Sequence, residues 1–171
     1  MKKGNLYFIS DDFFDKFNNQ KLMTNKEDEH NRPCYYSLND DKYEDIYWMI
    51  PISSQIDKYE EEFRKSITKY GLCDKISFGY VKGEKNAFLL QNMCPIIEKY
   101  ILNEYHYRGT TRPVTIPNDL KSELNAKARK LIRKAENGVC IPFTDIISMR
   151  NQLIQELDII KEIAAAESDN D

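Results

Sequence analysis

Short apolar runs separated by polar turns dominate the first hundred residues, a pattern typical of β-strands. Strands are predicted at residues 5–9, 34–38, 46–52, 76–81 and 87–91, the last two forming a hairpin around residues 82–85. Because proline cannot donate a hydrogen bond to a sheet, Pro51 is expected at an edge or end of its strand. Pro95 is expected to end the strand region.

An apolar spacing near 3.6 residues appears elsewhere and predicts four helices. Ser10 is expected to cap a short first helix that carries phenylalanines on one side. Residues 56–69 form the second helix, Pro117 begins the third and Asn137-Gly138 ends it, and Thr144 caps the fourth. The apolar faces of the last two helices are interpreted as core or subunit contact and comprise Leu120, Leu124, Ala128, Leu131 and Ala135, then Ile146, Leu153, Leu157, Ile160 and Ala164.

A chain of 171 residues can bury one substantial core and does not require a second domain. Residues 18–32 are polar and predicted to be loop, and residues 166–171 are predicted to be a frayed acidic tail. The order of elements predicts one α+β domain over residues 1–171, with a compact antiparallel, partly closed β-barrel core and surrounding helices.

The charges are unevenly distributed along the chain. The formal net charge is −3, yet residues 105–134 contain eight Lys and Arg against two Asp and Glu. A basic segment between acidic flanks is compatible with a local RNA-binding face. An ordinary solvated helix explains the same composition.

The remaining composition limits the compartment and the cofactors. No apolar run approaches the roughly 20 residues that a membrane helix needs, and Asp11-Asp12 follow the first run too soon for a signal peptide. We therefore expect a cytoplasmic protein without a membrane partner. The four cysteines form no Cys-x-x-Cys pair and only two histidines occur, so we expect reduced, mostly buried thiols, no metal and no cofactor.

Five polar residues are candidates for metal-free cleavage of RNA. In that reaction the ribose 2′-OH attacks the adjacent phosphate, a base removes its proton, an acid protonates the leaving 5′-oxygen, and donors stabilise the added negative charge. Arg32 and Lys58 suit the charge stabilisation, and Ser53 and Ser54 can donate to phosphate oxygens or hold the 2′-OH. Because imidazole titrates near neutral pH, His30 is the candidate proton shuttle.

Each candidate also has a structural explanation. Ser53 and Ser54 directly precede a predicted helix and are suited to capping it. Arg32 precedes a proline and fits an extended surface position. His30 lies in a charged run, and Lys58 is placed to pair with a glutamate on its own helix.

A second segment combines aromatic and basic residues in a way that suits unpaired bases and their phosphates. The predicted RNA-binding residues are Tyr105, His106, Tyr107, Arg108, Arg112, Lys127, Arg129, Lys130 and Lys134. The alternative is a flexible connection followed by a solvated helix.

The order of four motifs resembles the ToxN/AbiQ family of type III toxin–antitoxin toxins, and within it the CptN branch. The motifs are residues 5–10, Arg32-Pro33, residues 51–54 and residues 93–98. The resemblance implies a MazF/Kid-like fold and a metal-independent endoribonuclease that leaves a 2′,3′-cyclic phosphate on cellular or phage RNA. It also implies inhibition by a small repeated RNA pseudoknot, which the toxin cuts from its precursor and holds in a closed protein–RNA complex.

The resemblance carries over to individual residues unevenly. Ser53 and Ser54 match the family's hydroxyl pair, and Arg32 occupies its basic position. Family members often have a lysine within two residues of the hydroxyl pair, whereas the nearest one here is Lys58. Where some members carry a tyrosine before the basic residue, this chain has Asp28-Glu29-His30. The general base is therefore not assigned by the resemblance.

Two further hypotheses compete with an RNA-regulated ribonuclease. One is a non-catalytic RNA-binding module that uses the same basic segment, and it predicts salt-sensitive binding without cleavage. The other is a MazF-like toxin held by a protein antitoxin. Short tandem nucleotide repeats upstream of the reading frame would favour the RNA-regulated toxin.

Overall fold

The computed structural model describes residues 1–18, 20, 22–27, 30–139 and 144–168, with Glu27, His30 and Ser168 described by their backbone only. The helices are α1 (Asp11–Lys16), α2 (Ile56–Tyr70), α3 (Asn118–Glu136) and α4 (Ile146–Ser168). The strands are β1 (Leu6–Ile9), β2 (Lys26–Glu27), β3 (His30–Asn31), β4 (Cys34–Asn39), β5 (Tyr47–Ser53), β6 (Ile76–Val81), β7 (Glu84–Leu89), β8 (Cys94–Ile96) and β9 (Ile101–Glu104).

A seven-stranded antiparallel sheet forms the centre of the described part of the chain. Its order is β6-β7-β5-β4-β1-β9, and β8 pairs with β5 beside this path. The predicted α+β fold is confirmed. Strand pairing does not close the sheet, but the Lys82 Nζ donates to the Tyr105 hydroxyl at 3.3 Å and so connects the β6–β7 turn with the segment after β9.

Pro51 lies inside a central strand and is followed by two more residues of that strand, contrary to the expectation of an edge or an end. One side of β5 pairs with β4, and Cys34 lies opposite Pro51. On its other side β5 pairs with β8 at residues 47–49 and with β7 at residues 52–53. Pro51 lies between the residues that pair with β8 and those that pair with β7. Proline is tolerated there because no N–H is needed to bond a strand on that side of β5.

Three short pairings were not predicted from the pattern. Residues 18–32 were expected to be loop, but β2 and β3 form a two-stranded sheet within them. Pro95 was expected to end the strand region, but it lies inside β8, and β9 follows. These strands contain two to four residues, too few for alternation to be visible in the sequence.

Helices cover both faces of the sheet. The predicted apolar face of α3 packs on one face, where Leu124 and Ala128 contact the cluster that includes Trp48 and Phe88. On the opposite face, α1 and α4 pack against a cluster that includes Met49. No helix in the described ranges is both long enough and apolar enough to cross a membrane.

The cap predicted at Ser10 is confirmed in position but not in its bond, and the cap predicted at Thr144 is wrong. Ser10 occupies the N-cap of α1, but its hydroxyl is buried and makes no hydrogen bond within the described part of the chain. At the start of α4 the Asp145 carboxylate accepts the Ser148 N–H at 3.0 Å, whereas the Thr144 hydroxyl donates to the Met93 carbonyl at 3.5 Å. Helix α3 begins and ends where predicted, and α4 continues through residue 168, within the segment predicted to be a frayed tail.

Candidate functional site

The corner between β5 and α2 carries both predicted serines. Ser53 is the last residue of β5 and is only 1% exposed, whereas Ser54 is exposed. The Ser53 hydroxyl accepts the Gln55 N–H at 3.2 Å, and Gln55 is itself the N-cap of α2. Because an N-cap side chain bonds the N–H groups of the second or third helical residue, neither serine acts as the cap.

Arg32 lies directly against the strand end that carries these serines. It is 6% exposed, its Nη1 donates to the Ile52 carbonyl at 2.8 Å, and its Nε donates to the Thr24 carbonyl at 3.3 Å. Since Ile52 precedes Ser53, the structure brings Arg32 to the serine pair. Its burial excludes the interpretation of Arg32 as a surface residue.

Lys58 extends the corner on the solvent side. It is exposed in the first turn of α2, and its Nζ lies 5.1 Å from the centroid of the Tyr59 ring. Within the described ranges it forms no ion pair with a glutamate, contrary to its structural explanation. An ammonium group, an exposed hydroxyl and the positive end of a helix dipole therefore meet where an anion can approach.

His30 lies two residues before Arg32 in the sequence. Its backbone pairs with Glu27 in the β2–β3 sheet, and its side chain lies outside the described residues. The described residues contain no group of three or more His, Cys, Asp or Glu arranged to hold a metal ion.

Residues 105–114 form an ordered loop rather than a flexible connection. The Tyr107 N–H donates to the Arg112 carbonyl at 3.0 Å, and the Arg112 guanidinium lies 5.2 Å from the Tyr107 ring centroid. The Lys82 Nζ lies 5.1 Å from the Tyr105 ring centroid. Arg108 is exposed at the tip. The loop therefore carries two half-buried aromatic rings that pack against the core, each with a cation beside it.

Glu104 holds His106 in this region. The His106 Nε2 lies 2.8 Å from the Glu104 Oε2, while the Glu104 Oε1 accepts hydrogen bonds from Asn5 at 2.7 Å and from the Tyr7 hydroxyl at 3.0 Å. The hydrogen bond from the Asn5 amide has the largest effect and lowers the pKa of Glu104. Burial raises this pKa by less, and His106 and Tyr7 lower it further. Sequence analysis did not identify Glu104, although alternate residues of an extended chain share a face.

Three lysines of α3 lie on the flank that faces β6 and the residues before it. The Lys127 Nζ contacts the Ser77 hydroxyl at 2.9 Å and the Glu123 Oε1 at 2.7 Å. Lys130 and Lys134 pair with Asp74 at 2.7 and 3.3 Å.

Arg129 lies apart from those lysines. Its Nη1 pairs with the Asp41 carboxylate at 3.0 Å, beyond the end of β4. The basic residues of α3 therefore do not form a single uniform face, and each predicted one has an acidic partner within the protein.

Solved structures from bacterial type III toxin–antitoxin and antiviral systems have the same architecture. One is AbiQ, a lactococcal anti-phage endoribonuclease of the type III toxin–antitoxin system, with a TM-score of 0.69, 12% identity, and coverage of 92% of this chain and 99% of AbiQ. The chain has the AbiQ fold. A second comes from a bacterial antiviral system regulated by a processed non-coding RNA, with a TM-score of 0.62, 12% identity and coverage of 86% and 95%.

A third comes from type III systems whose toxin is selectively inhibited by a non-coding RNA pseudoknot, with a TM-score of 0.64, 16% identity and coverage of 91% and 98%. No protein-family model and no curated protein sequence matches the chain. The architecture implied by the sequence resemblance is confirmed, and AbiQ and the other two chains share it over nearly their whole length.

Proposed function

We propose that this chain is the toxin of a bacterial type III toxin–antitoxin system, an endoribonuclease controlled by a non-coding RNA. The observation that carries the proposal is the fold, which matches that of AbiQ over 92% of this chain and 99% of AbiQ. The contact of Arg32 with the carbonyl of Ile52, which lies 20 residues further along the chain, supports it as well, because it brings this cation to the corner that carries Ser53, Ser54 and Lys58.

The proposed reaction needs no metal ion. The ribose 2′-OH loses its proton and attacks the adjacent phosphorus, the bond from phosphorus to the 5′-oxygen breaks, and that oxygen takes up a proton. The products are a 2′,3′-cyclic phosphate and a free 5′-hydroxyl. The added negative charge on the phosphate is stabilised by cations and N–H or O–H donors.

Exposure divides the proposed roles among the four residues. Ser54 and Lys58 are exposed and would contact the phosphate directly, beside the N-terminus of α2. Ser53 and Arg32 are buried, and their hydrogen bonds to Gln55 and Ile52 would fix the corner on which the exposed pair stands. Arg32 is thus proposed as a positioning residue whose positive charge also favours a nearby anion.

The proposed partner is a small RNA pseudoknot cut from a repeated precursor, and cellular or phage RNA is the substrate. The 105–114 loop combines the exposed Arg108 with two half-buried rings that each have a cation beside them, which suits the phosphates and the base edges of an unpaired strand. We propose that this loop belongs to the surface that holds RNA in a closed protein–RNA complex. No protein antitoxin is needed for that assembly.

Incubating the purified chain with single-stranded RNA in EDTA tests the proposal, after co-purified RNA has been removed. Fragments with cyclic phosphate ends, resistant to phosphatase until acid treatment, are the expected result. Binding without cleavage would support an RNA-binding module instead. Cleavage that a neighbouring protein inhibits, and that no repeated RNA inhibits, would support a MazF-like toxin with a protein antitoxin.

A further inference from the structure

The C-terminal end of α2 exposes an aromatic ring on an ordered support. Tyr70 is 62% exposed and Leu72 49% exposed. Between them Gly71 has a φ of +73°, and its N–H donates to the Ile67 carbonyl at 2.8 Å, which ends the helix in the left-handed conformation that glycine allows. The Ser66 hydroxyl donates to the Leu72 carbonyl at 2.9 Å and fixes the following segment. Tyr70 is therefore presented on a defined turn.

Two lysines accompany Tyr70 from its own side of the turn. The Lys69 Nζ lies 5.0 Å from the Tyr70 ring centroid, and Lys75 is exposed a few residues further on. A hydrogen bond from Lys69 lowers the pKa of Tyr70, and the charges of Lys69 and Lys75 lower it further. Both ammonium groups thus act on the exposed hydroxyl.

Two more lysines reach the same place from α3. Lys130 and Lys134 both contact Asp74, which immediately precedes Lys75. Burial opposes the ionisation of Asp74, but the bonds from Lys130 and Lys134 outweigh it and lower its pKa. Two ammonium groups therefore share the Asp74 carboxylate, one residue before Lys75. We call this set the α2-end patch, defined as Lys69, Tyr70, Leu72, Lys75, Lys130 and Lys134.

We propose that the α2-end patch binds an unpaired stretch of RNA, with a base stacked on Tyr70 and the flanking phosphates held by the lysines. The inference rests on the proposed function and adds a second contact with RNA. Helix α2 has 15 residues, so its two ends lie about 22 Å apart. Since Ser54 and Lys58 are at the other end, the patch holds RNA away from the bond that is cut.

The charges favour RNA over a protein partner at this patch. Exposed apolar side chains such as Leu72 suit either partner. The patch contains four lysines, of which Lys130 and Lys134 share the one carboxylate of Asp74, and this excess of positive charge favours a polyanion. An exposed ring with a cation beside it, as Tyr70 has in Lys69, is an arrangement that binds single strands without regard to sequence. An acidic protein would be attracted by the lysines but would gain little from stacking on Tyr70.

Fluorescence anisotropy tests the inference by measuring the binding of a labelled, unstructured RNA. The RNA has about twenty nucleotides, so that it is longer than one single-strand binding site. All proteins carry Ser54→Ala to slow cleavage, the RNA is checked for integrity after each measurement, and none of the proteins has co-purified RNA. Tyr70→Ala is expected to raise the Kd about 5- to 150-fold. The double variant Lys69→Gln/Lys75→Gln is expected to reduce the slope of log K against log salt by about 1.4, two phosphate contacts for a single strand.

The matched control is Lys65→Gln/Lys161→Gln, which removes the same charge from two exposed lysines outside the patch, each paired with one acidic residue. It should leave the Kd and the salt slope at the parent values. Patch variants that bind like this control, while the parent binds RNA, would overturn the inference and leave the proposed function intact.

A different result would point to charge alone. If the lysine variant weakens binding and Tyr70→Ala does not, the patch attracts polyanions without stacking, and an acidic protein partner becomes the better interpretation. If the unmodified chain neither binds nor cleaves single-stranded RNA, the proposed function fails and the inference fails with it. Thermal unfolding by circular dichroism confirms that the variants are folded.

Discussion

Ser53 and Ser54 are neighbours in the sequence, but their surroundings differ. Ser53 is buried at the strand end and bonds the Gln55 N–H, while Ser54 faces solvent. A buried hydroxyl can shape the corner, and only an exposed one can reach a phosphate without rearrangement. The two serines should therefore be separable by mutation.

Ser54→Ala is expected to reduce kcat for RNA cleavage about 10²- to 10³-fold, the usual effect of losing one donor to a developing oxyanion. Its unfolding free energy should stay within about 0.5 kcal/mol of the parent, because the side chain is exposed. Ser53→Ala should lose about 1 kcal/mol of stability as well as activity, since a buried hydrogen bond is removed.

Urea unfolding and single-turnover kinetics measure both effects. Ser122→Ala is the control, because that exposed serine lies on α3 and bonds only the Asn118 carbonyl among its described contacts. Full activity of Ser54→Ala would contradict the direct role of this hydroxyl.

Two cysteines beside the candidate site should be chemically inert. Burial raises the pKa of Cys34 to about 12, against the opposing charge of Arg32, and burial also raises the pKa of Cys94. Since the thiolate is the reactive form, iodoacetamide at about pH 8 should leave both unmodified in the native protein and alkylate both in urea. Peptide mass spectrometry reads the result, and alkylation of native Cys34 at the rate of a free thiol would contradict it.

At the scale of elements, the approach of α3 to β6 depends on one missing side chain. Gly79 lies under α3, and a Cβ placed there would overlap the Leu120 Cδ2 and lie 3.3 Å from the Phe88 ring. Leu120 is 7% exposed and belongs to the main core cluster, so it has little room to move. The absence of a side chain at this position lets the helix pack closely on the sheet.

Gly79→Ala is expected to destabilise the protein by about 1–3 kcal/mol through overpacking. In a Leu120→Ala background the same substitution should have a smaller effect, because the overlapping atom is gone. The four proteins form a double-mutant cycle, read by urea unfolding. Equal effects of Gly79→Ala in both backgrounds would show that strain in β6 itself, rather than contact with α3, is responsible.

At the scale of the whole molecule, carboxylates connect elements that are distant in sequence. Glu156 on α4 accepts hydrogen bonds from Lys16 of α1 at 2.5 Å, from Lys99 at 2.6 Å and from Tyr100 at 2.9 Å. Burial opposes its ionisation, but these partners lower its pKa below the ordinary 4.5. Glu104 joins β9 to β1 in a similar way.

Stability should therefore decrease in acid. A carboxylate whose pKa is lowered by folding stabilises the protein fully above its unfolded pKa of about 4.5. The contribution is lost as the pH falls through the folded value. The urea midpoint should be lower at about pH 4 than at neutral pH, and Glu156→Gln should reduce this difference. An unchanged pH dependence in Glu156→Gln would show that Glu156 does not contribute.

The corner that carries the candidate site was predictable because it lies between two strongly patterned elements. An apolar strand ends at Ser53 and an amphipathic helix begins at Ile56, so the residues between them must form a turn. Arg32 reaches that turn because β4 pairs antiparallel with β5. The acidic partners of Lys130 and Arg129 were not predictable, since Asp74 and Asp41 lie 56 and 88 residues away in the sequence.

Periodicity and turn chemistry within about ten residues predict the main strands, the four helices and the residues at the β5–α2 corner. Tertiary contacts set the strand order, the pairing of the short strands, the burial of Arg32 and the sharing of Asp74 by Lys130 and Lys134. Those features arise from contacts between distant segments, which local pattern does not encode. The sequence alone therefore does not distinguish a lysine that is paired with a carboxylate in the fold from one that is available to a ligand.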